Sequence, residues 1–270
     1  MEVNRKNYFS KEMSLKYMGS SQYKDFINCE AMAIAKINGD YSISDNVALV
    51  QGSYMDSLFE GNSEEFKTEH PEMFTKKGTQ LLKSFADVEN SYNSVSHDKL
   101  FMHYCLGEQQ KIFTFEIAGV PFKIMTDSLL PDIIIDRKYM RDMQDIWSEK
   151  EHKKVPFFEY WGYDIQAAIY REGVRQNLGV ELPFALAPIT KEKQADHELI
   201  KFDNYILDDA LEKVKANVPY FYAIKQGLID ASGCGVCDYC KSIKTVSDFK
   251  MASSFMNYVD LEDDILLEDN

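Results

Sequence analysis

Two aspartates and one lysine lie at the ends of two neighbouring segments that are predicted to be strands. Asp127 ends the segment that begins at Val120, and Asp136 and Lys138 lie in the next one. Residues two apart in a strand project to the same face, so Asp136 and Lys138 should project together, within reach of Asp127. Carboxylates bind Mg²⁺ or Mn²⁺, which activates water and stabilises charge on a reacting phosphate. Lys138 would then orient or deprotonate the attacking water, or stabilise the transition state.

A structural ion pair between Asp136 and Lys138 is the alternative interpretation of this motif. Short Asp/Glu-x-Lys strings also begin at Glu65, Glu151 and Asp248. None of those follows an apolar strand that has another aspartate at the end of the preceding strand. Three isoleucines at positions 133–135 lead into Asp136, as in a buried central strand. Because unpaired buried charges are unfavourable, this context favours the metal site.

A second motif consists of cysteines near the end of the chain. Cys234, Cys237 and Cys240 form C-x-x-C-x-x-C, and Cys29 is the candidate for a fourth ligand. Four thiolates suit tetrahedral Zn²⁺ as well as an iron–sulfur cluster, so the spacing leaves the metal open. Four reduced thiols without a metal are the other alternative. Cys105 has no partner pattern and is predicted to lie in the core.

The elements that must position these residues are predicted from hydrophobic periodicity and from turn residues. Their order, with a three-stranded meander after the first helices, predicts an α/β fold: an α+β sandwich with a mixed central sheet flanked by helices. The predicted helices are Ser20–Asn38, Asp45–Glu60, Gly78–Val95, Phe157–Gln176 and Asn204–Gly227, and the predicted strands are Lys111–Ile117, Val120–Asp127, Asp132–Lys138 and Glu181–Thr190.

The composition excludes two classes of protein. The chain has 270 residues, of which 45% are hydrophobic and 27% are charged, and it contains no apolar run long enough to span a membrane. Its net charge of -14 argues against a passive nucleic-acid coat, which needs an excess of Lys and Arg. The first residues lack the apolar stretch of a secretory signal, which predicts a cytoplasmic location.

The order of these elements and motifs resembles that of the PD-(D/E)XK nucleases. More narrowly, the chain from Tyr23 to Cys240 resembles the phage and prophage recombination exonucleases of the exodeoxyribonuclease VIII type. This resemblance implies a restriction-endonuclease-like core with a helical N-terminal part. It also implies that Asp56 stands where the family has a metal-ligand histidine, beside Asp127 and Asp136 as the other ligands of Mg²⁺ or Mn²⁺. An exposed acid on a helix is the alternative interpretation of Asp56.

Three further assignments concern the remaining site residues. Gln166 and Tyr170 lie one helical turn apart, like a Gln and a Tyr near the active site of related nucleases; a polar stripe on an amphipathic helix is the alternative. One cysteine before the core and three after it match the iron–sulfur branch of the superfamily. The resemblance therefore implies a 4Fe-4S cluster on Cys29, Cys234, Cys237 and Cys240, with Zn²⁺ as the alternative. Among the candidate phosphate contacts, which are Lys123, Arg137, Arg141, Lys191 and Lys193, we favour Lys191 as a DNA-binding residue.

The resemblance also implies a function and a domain organisation. The expected activity is that of an exodeoxyribonuclease that trims linear double-stranded DNA ends to single-stranded tails for phage recombination. Its expected partners are DNA ends, a single-strand annealing protein and further copies of the chain, in the cytoplasm of the host. The alternatives are a defence or DNA-capture nuclease and a catalytically idle binding module of the same fold. We expect one nuclease domain over residues 1–258, with a helical part (1–105), a core (106–230), a cysteine segment (231–245) and an acidic tail (259–270).

Overall fold

A computed structural model of the protein describes residues 2–42, 47–78, 80–149 and 151–255. The predicted acidic tail at 259–270 lies outside the described residues, as does the predicted start of the second helix at Asp45. The part that precedes the first strand is helical, as predicted. Its helices are α1 (Lys11–Lys16), α2 (Ser20–Asn28), α3 (Glu30–Asn38), α4 (Val47–Glu60), α5 (Ser63–Glu69), α6 (Lys83–Val95) and α7 (Lys99–Cys105), with a 3₁₀ turn at Pro71–Met73.

Strands and helices alternate in the part that follows. The strands are β1 (Lys111–Ile117), β2 (Val120–Thr126), β3 (Ser128–Leu129), β4 (Ile134–Met140), β5 (Ile146–Ser148), β6 (Lys153–Val155), β7 (Phe184–Thr190) and β8 (Ile200–Lys201). The helices are α8 (Phe157–Tyr160), α9 (Tyr163–Leu178), α10 (Asn204–Lys225) and α11 (Asp238–Ser242), followed by a 3₁₀ turn at Ala252–Phe255.

The first two strands form a hairpin. Lys111 pairs with Thr126 and Ile117 pairs with Val120, so the ladder is antiparallel along its whole length. Ala118 and Gly119, which connect the strands, have φ angles of 48° and 76°. Two successive residues with positive φ are typical of the tight turn whose twist matches that of a hairpin.

The central sheet has the order β3-β4-β7-β8. Strands β4 and β7 run parallel, with Asp136 opposite Leu186, and β3 and β8 are antiparallel to their neighbours. The predicted three-stranded meander is therefore wrong in one respect, because β2 pairs with β1 and not with β4. The reason lies at Asp127, whose Oδ2 accepts the backbone N–H of Arg137 at 2.9 Å. The Asp127 side chain thus accepts the N–H of β4 that the backbone of β2 would have bonded if β2 had continued along β4.

Two apolar layers cover the two faces of the central sheet, and the predicted fold class is confirmed. Ile134 and Leu186 pack with α2, α3, α9 and α10, whereas Ile135 and Ala187 pack with α4, α6 and α7. Because side chains alternate along β4, Asp136 faces the same side as Ile134. Arg137 faces the other side with Ile135. The catalytic candidates Asp136 and Lys138 thus lie on the face that carries Ile134, and Arg137 lies on the other face.

Two predicted helices are each split into two in the structure. The helix predicted from Ser20 to Asn38 breaks at Cys29, whose backbone is extended. The helix predicted from Phe157 breaks at Gly162, which has a φ of 62°. The short strands β3, β5, β6 and β8 were not predicted, since segments of two or three residues show no measurable periodicity.

The chain divides into two compact units, Met1–Cys234 and Gly235–Asn270. The first contains the sheets and the helices α1–α10. In the second, Cys237 precedes α11, and its Sγ accepts the backbone N–H of Cys240 at 3.4 Å. Among the described residues, no helix is both long enough and apolar enough to cross a membrane.

Candidate active site

A cavity of about 780 Å³ in the first unit collects most of the predicted site residues. They come from α4, from β4, from the junction of β2 and β3, and from α9, which are far apart in the sequence. The fold therefore brings together six side chains that the sequence analysis singled out. These are Asp56, Asp127, Asp136, Lys138, Gln166 and Tyr170.

Strand β4 presents Asp136 and Lys138 on the same face, as their spacing predicts. Asp136 is 1% exposed, and its Oδ2 lies 2.5 Å from Lys138 Nζ. Burial raises the pKa of Asp136 to about 6, against the opposing effect of the Lys138 charge. Burial disfavours the Lys138 ammonium, but Asp136 and Asp127 outweigh that effect and raise its pKa. Lys138 therefore stays protonated near neutral pH and forms an ion pair with the buried Asp136 carboxylate.

Helix α9 supports this carboxylate from the layer beneath the sheet. Gln166 Nε2 donates to Asp136 Oδ1 at 2.6 Å, and both residues are buried. Tyr170, one turn further along α9, is 8% exposed and packs edge-on against Phe184. Gln166 therefore fixes the orientation of Asp136, and Tyr170 completes that side of the cavity.

Asp127 occupies the bend between β2 and β3. Its Oδ2 is held by the backbone N–H of Arg137, so its position is set by the strand that carries Asp136. The hydrogen bond that separates β2 from β4 therefore also fixes the position of the Asp127 carboxylate.

The opposite face of β4 presents Arg137 to the N-terminal helices. This residue is 4% exposed, and its Nη1 donates to Cys105 O at 2.9 Å and to Gln109 Oε1 at 2.7 Å. Its Nε donates to Asp56 Oδ1 at 3.1 Å. Arg137, which the sequence analysis named only as a candidate phosphate contact, thus serves internal acceptors.

Asp56 extends from α4 towards this guanidinium and lines the cavity. Burial, followed by the charge of Asp127, raises the pKa of Asp56 to about 7 in spite of Arg137. Asp56 and Asp127 line the same cavity, where the negative charge of one disfavours the negative charge of the other. Asp56 therefore stands where the resemblance expects a metal ligand, but it also forms an ion pair with a buried arginine.

Lys191 is the one predicted site residue outside both the cavity and the cysteine group. Its Nζ donates to Gln51 Oε1 at 2.7 Å and lies 4.9 Å from the centroid of the Tyr139 ring. These contacts give Lys191 a place in the packing between α4 and the sheet, at the end of β7.

The cavity also contains residues that the sequence analysis did not assign to the site. His70 is one of them: its ring stacks on Phe66 at 4.1 Å, and its Nδ1 lies 2.7 Å from Glu72 Oε1. The pair His70 and Glu72 has no recognisable ligand spacing, so the sequence offered no signal for it. Tyr163 lies beside the cavity and not in its lining, and it was also missed: its ring centroid lies 5.4 Å from Lys138 Nζ and 5.6 Å from Lys24 Nζ.

The four predicted cysteine ligands form a group. The Sγ atoms of Cys29, Cys234, Cys237 and Cys240 all lie within 4.8 Å of one another. Cys29 is 4% exposed at the corner between α2 and α3, and Cys234 directs its backbone N–H at Cys29 Sγ, 3.5 Å away. Such a group can hold a metal ion or a cluster. Among the residues that the structure describes, no group of carboxylates converges as closely as these thiols.

The contact between Gln166 and Asp136 yields a first prediction. Gln166→Leu keeps a similar volume but leaves Asp136 Oδ1 without its donor, so the carboxylate should lose its orientation. Groups that orient metal ligands contribute about 10- to 100-fold to affinity or activity. We expect a loss of DNA cleavage in this range, measured as initial rates on a labelled duplex. Gln176→Leu is the matched control on the solvent side of α9, where Gln176 contacts Glu172. Equal rates for both variants would contradict the assigned role of Gln166.

Comparisons with known proteins identify the family of the chain. A family model described as "PDDEXK-like domain of unknown function (DUF3799)" matches residues 19–243. A crystal structure from Eubacterium rectale, named "Putative exonuclease", is 36% identical, covers 94% of this chain and 98% of its own, and has a TM-score of 0.89. No curated protein matches the chain. Because the family model spans most of the sequence and includes every predicted site residue, the chain belongs to the PDDEXK-like domain family described by that model.

Proposed function

We propose that the protein is a Mg²⁺- or Mn²⁺-dependent deoxyribonuclease that digests linear double-stranded DNA from its ends. The observation that carries this proposal is the convergence of Asp127, Asp136, Lys138 and Gln166 on one cavity. The fold family and the name of the Eubacterium rectale protein support the nuclease assignment. The choice of duplex ends as substrate rests on the resemblance and on the shape of the cavity.

The carboxylates fit a hard divalent cation. Asp136 Oδ2 is buried and accepts no hydrogen bond of good geometry from the described residues, although Lys138 Nζ lies close to it. The raised pKa of Asp56 reflects negative charge that is crowded by burial and by Asp127. Carboxylate oxygens with free acceptor capacity are the ligands that Mg²⁺ and Mn²⁺ prefer. We assign Asp127 and Asp136 as the main ligands, with Asp56 as a third, and the bound metal would activate water and stabilise charge on the phosphate.

The protein side chains would divide the remaining tasks. Lys138, protonated and held by Asp136, is placed to orient the attacking water and to stabilise negative charge that develops on the phosphate. Gln166 keeps Asp136 in one orientation. Tyr170 is buried behind these groups and would lower the local dielectric, which strengthens each of these electrostatic interactions.

The size of the cavity favours a separated strand as the substrate. A volume of about 780 Å³ is that of a pocket for a small ligand. The major groove of B-DNA alone is about 12 Å wide, so an intact duplex is much larger than this pocket. A strand that separates at a duplex end can enter it, and this favours an exonuclease.

Digestion of linear and circular DNA tests the proposal. We expect a linear duplex to be degraded with Mg²⁺ or Mn²⁺ and a covalently closed circle of the same sequence to remain intact. A nicked circle shows in addition whether a nick suffices for entry. Rapid cleavage of the closed circle would favour an endonuclease, and failure to cleave any of the three with either metal would contradict the nuclease proposal.

The recombination role makes a separate demand on the product. A single-strand annealing protein needs a tail, so one strand of the duplex must survive digestion. We expect end-labelled duplexes to yield long single-stranded products, and degradation of both strands at equal rates would exclude this role.

Sedimentation of the purified protein would show whether it forms the expected homo-oligomer, and a monomer at working concentration would refute that expectation.

A further inference from the structure

The N-terminus of α2 forms another part of the cavity lining. Gly19 precedes the helix with extended backbone and offers no side chain to cap it. Within the described part of the chain, the first-turn amides of Ser20, Ser21 and Gln22 donate no hydrogen bond. These three residues and Gly19 all line the cavity. Uncapped amides at the start of a nine-residue helix carry partial positive charge directed at this space.

The side chain of Ser20 gives an independent indication of a ligand. Ser20 is 7% exposed and lines the cavity. Its hydroxyl has no hydrogen-bond partner among the residues that the structure describes. A hydroxyl that has no protein partner and opens onto a cavity is available to donate a hydrogen bond to an acceptor that enters from outside.

Two buried lysines lie beside this helix terminus. Lys123, which is 5% exposed and lines the cavity, donates to the backbone oxygen of Tyr8. Lys225, which is 9% exposed, donates to Tyr17 O at 2.7 Å and to Gln22 Oε1 at 2.9 Å. All three acceptors are neutral, and no carboxylate of the described chain forms an ion pair with either lysine.

The titration of the two lysines agrees with this lack of a counter-charge. Burial lowers the pKa of Lys123 to about 8. Burial and the charge of Lys123 lower the pKa of Lys225 to about 7. Two neighbouring buried ammonium groups disfavour each other unless a negative charge binds near them.

We propose that the N-terminus of α2, together with Ser20 and Lys123, and with Lys225 behind them, binds a phosphate group of the substrate strand. This inference rests on the proposed nuclease function and adds a second anchoring point to the same cavity. A phosphate supplies acceptor oxygens for the amides and for the Ser20 hydroxyl, and negative charge for the lysines. The group could be the terminal phosphate of a DNA end or a phosphodiester beside the one that is cleaved.

Binding of inorganic phosphate, without divalent metal, tests the site directly. We expect calorimetry at constant ionic strength to show saturable binding to the wild-type protein. Ser20→Ala should weaken it by about tenfold or more, because a hydrogen bond to a charged group is lost. The substitution removes no hydrogen bond within the described protein, so the fold should remain intact. Ser91→Ala is the matched control, since Ser91 is 5% exposed, lies outside the cavity lining and bonds Asp87 O.

A second variant separates binding from a purely structural role. Lys123→Met keeps the length of the side chain and removes its charge, and it should also weaken phosphate binding. If Lys123 only anchored Tyr8, this variant would lower the unfolding temperature and leave phosphate affinity unchanged. Absence of phosphate binding by the wild type, or wild-type affinity in both Ser20→Ala and Lys123→Met, would overturn the proposal.

Thymidine dinucleotides identify the source of the phosphate. Tighter binding of a 5′-phosphorylated dinucleotide than of its 5′-hydroxyl counterpart would indicate a terminal phosphate. Equal binding of the two would indicate the internal phosphodiester. Because these measurements involve no cleavage, they can succeed even if the protein does not digest DNA.

Discussion

Asp136→Asn should reduce DNA cleavage by about a thousandfold. In the proposed active site, the charge of Asp136 would hold the metal and position Lys138, and loss of one preorganised electrostatic group at a reacting centre reduces rates by about 10²- to 10³-fold. Asparagine has the same shape, so its Oδ1 can still accept from Gln166 Nε2. The fold should therefore survive, and the rate on linear duplex with saturating Mg²⁺ is the measurement.

Asp132→Asn provides the control for this experiment. Asp132 lies four residues earlier on the same approach to β4 but is exposed. The Asp132→Asn variant should cleave DNA at the wild-type rate. The unfolding temperatures of both variants should stay within a few degrees of the wild type. Near-normal, metal-dependent cleavage by Asp136→Asn would show that the active site lies elsewhere in the molecule.

Cys29→Ser should remove the metal from the cysteine group and destabilise the protein strongly. Cys29 and Cys234 are 205 positions apart, so a metal that binds both closes a very long loop. Such a link restricts the unfolded chain, and the free energy of metal binding becomes free energy of folding. We expect loss of the bound metal and a fall of about 10 °C or more in the unfolding temperature. Metal analysis and thermal unfolding measure the two effects.

Cys105→Ala tests whether this effect is specific. Cys105 is fully buried, and burial raises the pKa of its thiol to about 12, as expected of an inert core residue. Its replacement should leave the metal content unchanged and cause only a small loss of stability. If Cys29→Ser keeps its metal and its stability while variants of Cys234, Cys237 and Cys240 lose theirs, the fourth ligand is another residue.

The colour of the protein distinguishes the two candidate metals. We propose a 4Fe-4S cluster on the resemblance to the iron–sulfur branch of the superfamily. Protein purified without oxygen should then be brown and contain iron and sulfide. A colourless protein with one zinc per chain would refute the cluster and favour a tetrahedral zinc site.

The sequence contained strong signals for the elements around the site. The alternation of Lys111–Ile117 and the Ala118-Gly119 turn predicted the β1–β2 hairpin, and the isoleucines before Asp136 predicted a buried strand. Local patterns sufficed there because strand period and turn chemistry are encoded in neighbouring residues.

Tertiary contacts determined what the sequence could not show. The bond from the Arg137 N–H to Asp127 divides the predicted meander, and it joins residues ten positions apart through a side chain. The role of Arg137 was missed for a related reason, since its acceptors lie on α4, α7 and the segment that follows. His70 and Ser20 enter the cavity from separate helical segments, so no spacing in the sequence relates them to Asp136.

The contacts of Arg137 bear on how far the protein can be shortened. A fragment that starts at residue 106 would contain both catalytic strands but would lack Asp56 and the backbone oxygen of Cys105. Its central strand would then carry a guanidinium that is buried in the whole protein and has lost its carboxylate partner Asp56 and one of its backbone acceptors. Because a buried charge that has lost its partner destabilises a protein by about 3–5 kcal/mol, we expect such a fragment not to fold by itself. Loss and gain of the N-terminal helices in related proteins should therefore be accompanied by a change at position 137.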